Sequence, residues 1–203
     1  MRHGPERVPE RGFTMMELLI TLAVAAILLS IAAPDFRAMV LQSQQDNRVI
    51  ELTGALNFAR SEAIKRASRV SVCARSTAST CGTDWNKGWI VFIDNADTAG
   101  TIEASETVLK LADALPEGFQ VSNMAITSGA ADAIQRNFVR FGPRGLSNWR
   151  GSGTFTFCDS RGTPAAKAIN VSMSGDVRQA RHDGSGKLHD AFGQQISCEE
   201  TSS

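Results

Sequence analysis

Residues Phe13 to Ala33 hold a single charged side chain, Glu17, and are otherwise built from Phe, Leu, Ile, Ala, Val, Met, Thr and Ser. A bilayer core takes about 20 mostly apolar helical residues, so this run is expected to be a membrane-spanning helix, ended by Pro34 and Asp35. Before it, Met1 to Gly12 carries Arg2, Arg7 and Arg11 against Glu6 and Glu10. A short segment with that bias stays on the cytoplasmic side, which puts the rest of the chain outside the cytoplasm. An ordinary secretory signal is the wrong pattern, because its apolar stretch is shorter and its small-residue cleavage site follows that stretch. Here a Gly precedes the stretch and Pro34-Asp35-Phe36 follows it.

What lies beyond the run is enough for one domain. The chain has 203 residues with 21% charged and a formal net charge of zero, which excludes a disordered or polybasic protein and gives no general affinity for polyanions. Tyr is absent and Phe is the commonest aromatic. Four cysteines, Cys73, Cys81, Cys158 and Cys198, are an even number on the side of the membrane where disulfides persist. Two disulfides are expected. Of the three connectivities, the short separation favours Cys73 with Cys81, which leaves Cys158 for Cys198. No pair has the C-x2-C or C-x4-C spacing of a structural zinc site, so no metal and no cofactor is expected.

Glu17 is the discriminating residue, because a carboxylate in a bilayer-bound helix costs about 2.5 to 3.5 kcal/mol on insertion scales and needs a partner. The stretch Arg11-Gly12-Phe13-Thr14-Met15-Met16-Glu17-Leu18-Leu19-Ile20 resembles the class III signal of type IV prepilins. That resemblance implies cleavage between Gly12 and Phe13 by prepilin peptidase and N-methylation of Phe13. It also implies pairing of Glu17 with the N-terminal amine of a neighbouring subunit. Two groups that are each costly in lipid become tolerable as a pair.

Pro34 is expected to kink or soften the helix. Beyond it Val49, Leu52, Leu56, Ala59 and Ala63 recur at three- and four-residue steps, while Arg48, Glu51, Arg60 and Glu62 take other faces, the pattern of an amphipathic, core-facing helix. From Ser68 the pattern changes to short β-type runs broken by Gly, Pro, Asn and Asp. Strands are expected near Val70 to Cys73, Gly88 to Ile93, Thr107 to Leu111, Phe119 to Asn123, Asn137 to Phe141, Gly153 to Cys158, Ala168 to Ser172 and Asp176 to Ala180. Turns fit Gly142-Pro143-Arg144-Gly145 and Ser174-Gly175-Asp176. No internal repeat is evident, and Asp183 to Gly186 reads as a mobile loop.

The head resembles the FimT, FimU and GspH class of minor pilins and pseudopilins. The resemblance is carried by Ala59-Arg60-Ser61-Glu62-Ala63, Lys65-Arg66, Trp85, Gly88-Trp89-Ile90-Val91-Phe92-Ile93-Asp94, Phe141-Gly142-Pro143-Arg144-Gly145, Gly153-Thr154-Phe155-Thr156-Phe157-Cys158 and Val171-Ser172-Met173-Ser174-Gly175-Asp176-Val177-Arg178. It implies an α+β, pilin-like fold in which a long N-terminal helix, transmembrane then amphipathic, packs on an antiparallel β-rich head of two sheets. The expected divisions are a leader at 1–12, a transmembrane half at 13–34, an amphipathic half at 35–67 and the head at 68–203. Asp176 departs from the class, which more usually has Gly-Arg-x-Arg at this point.

No catalytic set is visible. His182 and His189 sit in a polar segment, and Asp94-Asn95-Ala96-Asp97 lacks the Gly and terminal Glu of an EF-hand, so a strand-end turn capped by Asp94 is the better reading. Charge is polarised along the head. Asp84 to Glu117 has seven acids against two lysines, whereas Gln135 to Arg181 has seven arginines and Lys167 against Asp159 and Asp176. Arg140, Arg144, Arg150, Arg178 and Arg181, with Trp149 for stacking, form a candidate contact set for DNA or for a partner subunit. The resemblance implies a non-enzymatic subunit, first in the inner membrane with its head in the periplasm, then in a filament. Three settings stand open: a minor pilin that promotes assembly at the tip of a type IV pilus, a pseudopilin of a type II secretion tip, and a DNA-binding pilin. The implied partners are prepilin peptidase, other minor pilins or pseudopilins, and the major pilin through helix 1.

Overall fold

The sequence Thr14-Met15-Met16-Glu17 is a capping box, a hydroxyl followed three residues later by an acid. It starts the long helix α1 (Met15–Lys65). The computed structural model describes residues 13–125, 135–149 and 151–198, with the backbone alone for 30–35. The chain forms two compact units, Met1–Leu41 and Gln42–Ser203. In the first, the helix runs without interruption through Pro34. A proline inside a helix forfeits one amide donor, and the helix tolerates that loss here. Among the described residues no helix is long and apolar enough to cross a membrane. The side chains of 30–35, inside the expected span, lie outside the described residues.

In the second unit α1 buries Val49, Leu52, Leu56, Ala59 and Ala63 at steps of three and four along one stripe, with Ala55 beside Leu56. The helix ends two residues earlier than expected, in a Schellman turn. Ser68 N–H donates to Ala63 O at 3.0 Å and Ala67 N–H to Ile64 O at 3.2 Å. Ala67 therefore sits at φ +49°, where glycine is the usual residue.

Eight strands follow: β1 (Val70–Ala74), β2 (Trp89–Ile93), β3 (Val108–Leu111), β4 (Gln120–Ala125), β5 (Phe138–Phe141), β6 (Gly153–Cys158), β7 (Lys167–Val171) and β8 (Val177–Gln179). They form two four-stranded antiparallel sheets, ordered β3-β2-β1-β5 and β4-β6-β7-β8. All eight match the expected runs to within two residues, and the α+β pilin-like class is borne out. The first sheet contributes Val72, Val91, Val139 and Phe141, and the second Val121, Phe155, Ile169 and Val171, to one core that includes the helix stripe.

The turn at Gly142 to Gly145 and the turn at Ser172 to Asp176 pack on each other. A Cβ at Gly175 would lie 1.9 Å from the carbonyl oxygen of Gly145, and Gly175 has φ +79°, so no other residue fits without moving backbone.

The outer face of the second sheet carries a separate small cluster, Ala166, Ala168, Leu188 and Ile196, with Ala180 and Cys198 packed against it. The segment that supplies Leu188 and Ile196 contains a repeat that the sequence reading missed. His182-Asp183-Gly184-Ser185-Gly186-Lys187 and His189-Asp190-Ala191-Phe192-Gly193-Gln194 share His, Asp and Gly at matching offsets. Each Asp accepts through Oδ1 from the amides two and four residues on, Ser185 and Lys187 at 2.8 and 2.9 Å, and Phe192 and Gln194 at 2.8 Å each. Gly186 and Gly193 have φ +78° and +82°. The expected mobile loop at Asp183 to Gly186 is instead a hydrogen-bonded turn.

Ala67→Gly relieves a Cβ in the left-handed region and should stabilise the head by about 0.5–1 kcal/mol net of the extra freedom of the unfolded chain, a rise of roughly 2–4 °C in Tm. Gly175→Ala should lower it by more than that, because strain and a backbone clash add. Thermal melts of the two variants check both signs. The Asp183 carboxyl is held down to about 2 from 3.8 by the Ser185 hydroxyl and then by the Lys187 amide. With the folded value below the unfolded one, the contribution of this turn is complete above 3.8 and disappears as pH falls toward about 2. An NMR titration of the Asp183 carboxyl should show the low midpoint, and a midpoint at the ordinary 3.8 would contradict it.

Candidate functional site

At the start of α1, Thr14 Oγ1 accepts from the Glu17 amide at 3.2 Å and Thr14 O accepts from the Leu18 amide at 3.1 Å. Glu17 lies in the first helical turn, where a carboxylate complements the exposed amides and the positive end of the helix dipole. The turn is therefore stable with Glu17 exposed, and the acid is available to a group outside the chain. Phe13 is 84% exposed, and the apolar side chains from Met15 to Leu29 stand uncovered along the helix. Gly12 lies outside the described residues.

Both disulfides are present. Cys73 is bonded to Cys81 across 8 residues and Cys158 to Cys198 across 40. The first joins central strand β1 to the 75–83 loop, with Cys73 fully buried beside Ile90 and Phe92. The second joins the end of β6 to the C-terminal segment and closes a loop whose entropy in the unfolded chain corresponds to about 4 kcal/mol.

The arginine set does not assemble as one surface. Trp149 is buried, 1% exposed; its indole N–H donates to Phe138 O at 3.1 Å and its ring lies 5.2 Å from that of Phe155. It cannot stack on a base, which corrects the sequence reading: an aromatic beside an arginine carries no mark of whether it faces inward. Arg140, on β5, lies 3.7 Å from the fully buried Asp94. Arg150 falls outside the described residues. Arg144 is exposed on the 142–145 turn, Arg178 is 80% exposed on β8 and Arg181 is exposed just beyond it.

Asp176, the departure from the class pattern, has a defined place. Its Oδ1 lies 3.3 Å from Arg60 of α1 and its Oδ2 accepts from Arg178 at 3.0 Å, while Arg60 also donates to Ser174 O at 3.0 Å. A Cβ on Gly145 or Gly175 would come within 3.2 or 3.0 Å of Arg60 Nε, so both glycines leave room for the guanidinium. A second polar seam joins helix to sheet. Gln45, fully buried, donates to Phe157 O at 3.1 Å and accepts from Arg161 at 3.0 Å. Asp46 pairs with Lys167. Burial raises the Asp159 carboxyl, but the hydrogen bonds and charge of Arg161 outweigh it, so the net shift is downward; burial alone lowers Lys167. These roles of Gln45, Arg60 and Arg161 were not read from sequence. They depend on contacts more than a hundred residues apart that no local spacing announces.

Four acids of the acidic stretch serve as scaffolding, while Asp97, Asp113 and Glu117 are exposed. Asp84 caps the short helix that carries Trp85 by accepting from the Asn86 amide. Asp94 accepts from Ser71 Oγ and from the Gly100 amide, so it caps its turn through Gly100 rather than through its nearest backbone. Glu106 accepts from the amides of Asn95, Ala96 and Glu103, and Glu103 accepts from that of Thr98. Among the described residues no three His, Cys, Asp or Glu side chains gather as a metal site.

Comparison with known proteins accords with this geometry. A prokaryotic N-terminal methylation motif matches residues 7–33. No curated protein matches the chain. Among solved structures, the type IV minor pilin FimU of Pseudomonas aeruginosa is similar in two crystal forms. One gives a TM-score of 0.53 at 20% identity over 74% of this chain and 96% of that one, the other 0.50 at 20% over 70% and 95%. The minor pseudopilin EpsH of the Vibrio cholerae type II secretion system gives 0.48 at 12% over 68% and 94%. The two FimU likenesses show the shared fold. The family described as type II transport protein GspH matches residues 49–175, more than half of the sequence, and the chain belongs to that family of structural, non-enzymatic pilin-type subunits.

Proposed function

We propose that this chain is a minor pilin, assembled at or near the tip of a type IV pilus and promoting its assembly. The observation that carries the reading is the start of α1. A helix with its apolar side chains uncovered from Met15 to Leu29 carries one acid, Glu17, in its first turn, within a methylation motif. Cleavage after Gly12 by prepilin peptidase would leave the amine of Phe13 four residues before Glu17. Held in the inner membrane by the apolar run, with the head in the periplasm, the subunit would pair its Glu17 with a neighbour's terminal amine. Each group is costly in lipid alone and satisfied together. A second reading, a pseudopilin of a type II secretion tip, is favoured by the GspH family match.

The head half of α1 supports assembly through the helix. Opposite its buried stripe lie Ser43, Asn47, Ile50, Gly54, Asn57, Ser61 and Ile64, spaced by alternate steps of four and three, all exposed and none charged. Ile50 is 67% exposed and Ile64 51%. A Cβ on Gly54 would meet nothing within 4 Å, so its own fold gives no reason for a glycine that costs the helix about 0.5–1 kcal/mol relative to Ala. Steps of three and four on an uncharged face suit a second helix crossing at about 20°, and a glycine permits its close approach.

Glu17→Val should leave membrane insertion unchanged and reduce incorporation into filaments; incorporation at the wild-type level would remove the pairing argument. Gly54→Ala should raise the Tm of the subunit by roughly 1–3 °C. Gly54→Leu should leave the fold intact but lower incorporation, and unimpaired incorporation would leave the exposed stripe without an assembly role. Loss of surface pili in a deletion strain that still secretes folded proteins supports the minor pilin, and the reverse phenotype supports the pseudopilin.

A further inference from the structure

We propose that residues 180–198 form a redox-releasable strap, locked over the outer face of the second sheet by Cys158–Cys198 and able to undock as a unit while the rest of the head stays folded. The two disulfides differ in what they hold. Cys73 is fully buried in the middle of β1, within the cluster that includes Ile90 and Phe92, and only an 8-residue segment lies behind that bond. Cys158 and Cys198 are both half-buried, at the last residue of β6 and at the last described residue of the chain. Cys81 is half-buried as well, but attack on its sulfur must release Cys73 as a thiolate into an apolar interior that disfavours the charge, whereas neither sulfur of the second bond is fully buried, so the second bond is the one a dithiol opens first.

What that bond secures is built separately from the main core. Leu188 and Ile196 rest on the methyl groups of Ala166 and Ala168, with Ala180 packed beside them, in a cluster that shares no member with the large one around the helix. Most of the segment's remaining order is internal: the paired turns of Asp183 and Asp190, the bridges His182 to Leu188 and His189 to Gln195, the Ile196 amide on Leu188 O at 2.9 Å, and the Asp183 carboxylate 3.7 Å from His189 Nδ1. Its polar ties to the sheet layer are few. Ala180 N–H donates to Ala168 O, Ala191 N–H to Thr154 Oγ1 at 2.8 Å and Cys198 N–H to Thr163 Oγ1 at 2.9 Å. A segment ordered within itself, resting on small residues and tethered at its far end by a covalent bond, leaves and returns as one piece.

The chemistry balances with a dithiol as reductant. Its thiolate displaces one protein sulfur to give a mixed disulfide, and its second thiol closes on the first to release the other. Cys158 and Cys198 gain two electrons and two protons as thiols, and the dithiol leaves as a disulfide. Undocking uncovers Ala166 and Ala168 with the Thr154 and Thr163 hydroxyls beside them, so the redox state decides which surface the outer face of this sheet presents.

The test uses the full chain in detergent, treated with graded dithiothreitol, then alkylated and mapped by mass spectrometry, with hydrogen exchange followed at each step. Cys158 and Cys198 should become alkylated at a reductant concentration at least tenfold below that needed for Cys73 and Cys81. At that point amide exchange in 180–198 should accelerate at least tenfold while β1, β2 and residues 49–65 keep their protection. The Cys158→Ser, Cys198→Ser double variant should fold and show the same localised pattern without reductant. Co-reduction of the two disulfides, unchanged protection of 180–198 once the second is open, or loss of protection throughout the head in either the reduced protein or the double variant would each overturn the proposal.

Discussion

The head rests on the contrast between a helix face of small residues and sheets that carry the bulk. Ala55, Ala59 and Ala63 recur every fourth position on the buried stripe of α1, with Leu52 and Leu56 beside them. The strands and loops answer with Trp85, Trp89, Trp149, Phe141, Phe155 and Phe157, all buried. Trp85 meets Phe155 edge-on at 4.7 Å and Trp149 lies 5.2 Å from the same ring. Interiors tolerate little change in volume at a fixed position, so the methyl-lined helix and the aromatic-rich sheets presuppose each other. A buried indole N–H usually finds a partner: those of Trp85 and Trp149 donate to the carbonyls of Arg136 and Phe138, while that of Trp89 has none among the described residues.

The charge polarity of the head has a related explanation. Loops that cross the outer face of a sheet expose backbone amides where no strand can satisfy them. Between Asp94 and Glu106, carboxylates accept from those amides and fix the 94–106 segment, whose Ile102 packs with Phe138 against Cys73, Ile90 and Phe92. Acids gathered for this purpose appear in the sequence as a negative region, yet Asp84, Asp94, Glu103 and Glu106 are used internally in this way, while Asp97, Asp113 and Glu117 are exposed. The arginines are divided: Arg60, Arg140, Arg161 and, from an exposed position, Arg178 bind acids of the head, while Arg144 and Arg181 are exposed.

The fold was legible in the sequence to the extent that periodicity dictates it. Steps of three and four gave the helix, and alternation bounded by Gly, Pro, Asn and Asp gave the eight strands. Trp149 was misplaced because a tryptophan in a polar neighbourhood looks the same whether it faces in or out. Pro34 leaves the helix continuous, because a proline weakens a helix without forbidding it. The repeat at His182 and His189 was visible as spacing, but its glycines and serine resembled an unstructured loop; only the aspartate-to-amide hydrogen bonds distinguish an ordered turn of that composition from a loose one. The Gly12 junction belongs to the sequence pattern alone.

Asp176 shows how one position can redirect a surface. The carboxylate sits between Arg60 on the helix and Arg178 on the sheet, with Gly145 and Gly175 making room for the guanidinium of Arg60. An arginine here, as the resembling class more usually has, would confront Arg60 at close range. Two like charges in a partly desolvated site repel, so one guanidinium would have to swing outward and add to the exposed cations at 144, 178 and 181. With an acid in place, the helix end and the β7–β8 turn are drawn together and local charge is neutralised. The same change therefore strengthens the attachment of α1 to the head and weakens the outer face as a receptor for a polyanion, an arrangement that suits a subunit whose contacts are with other proteins.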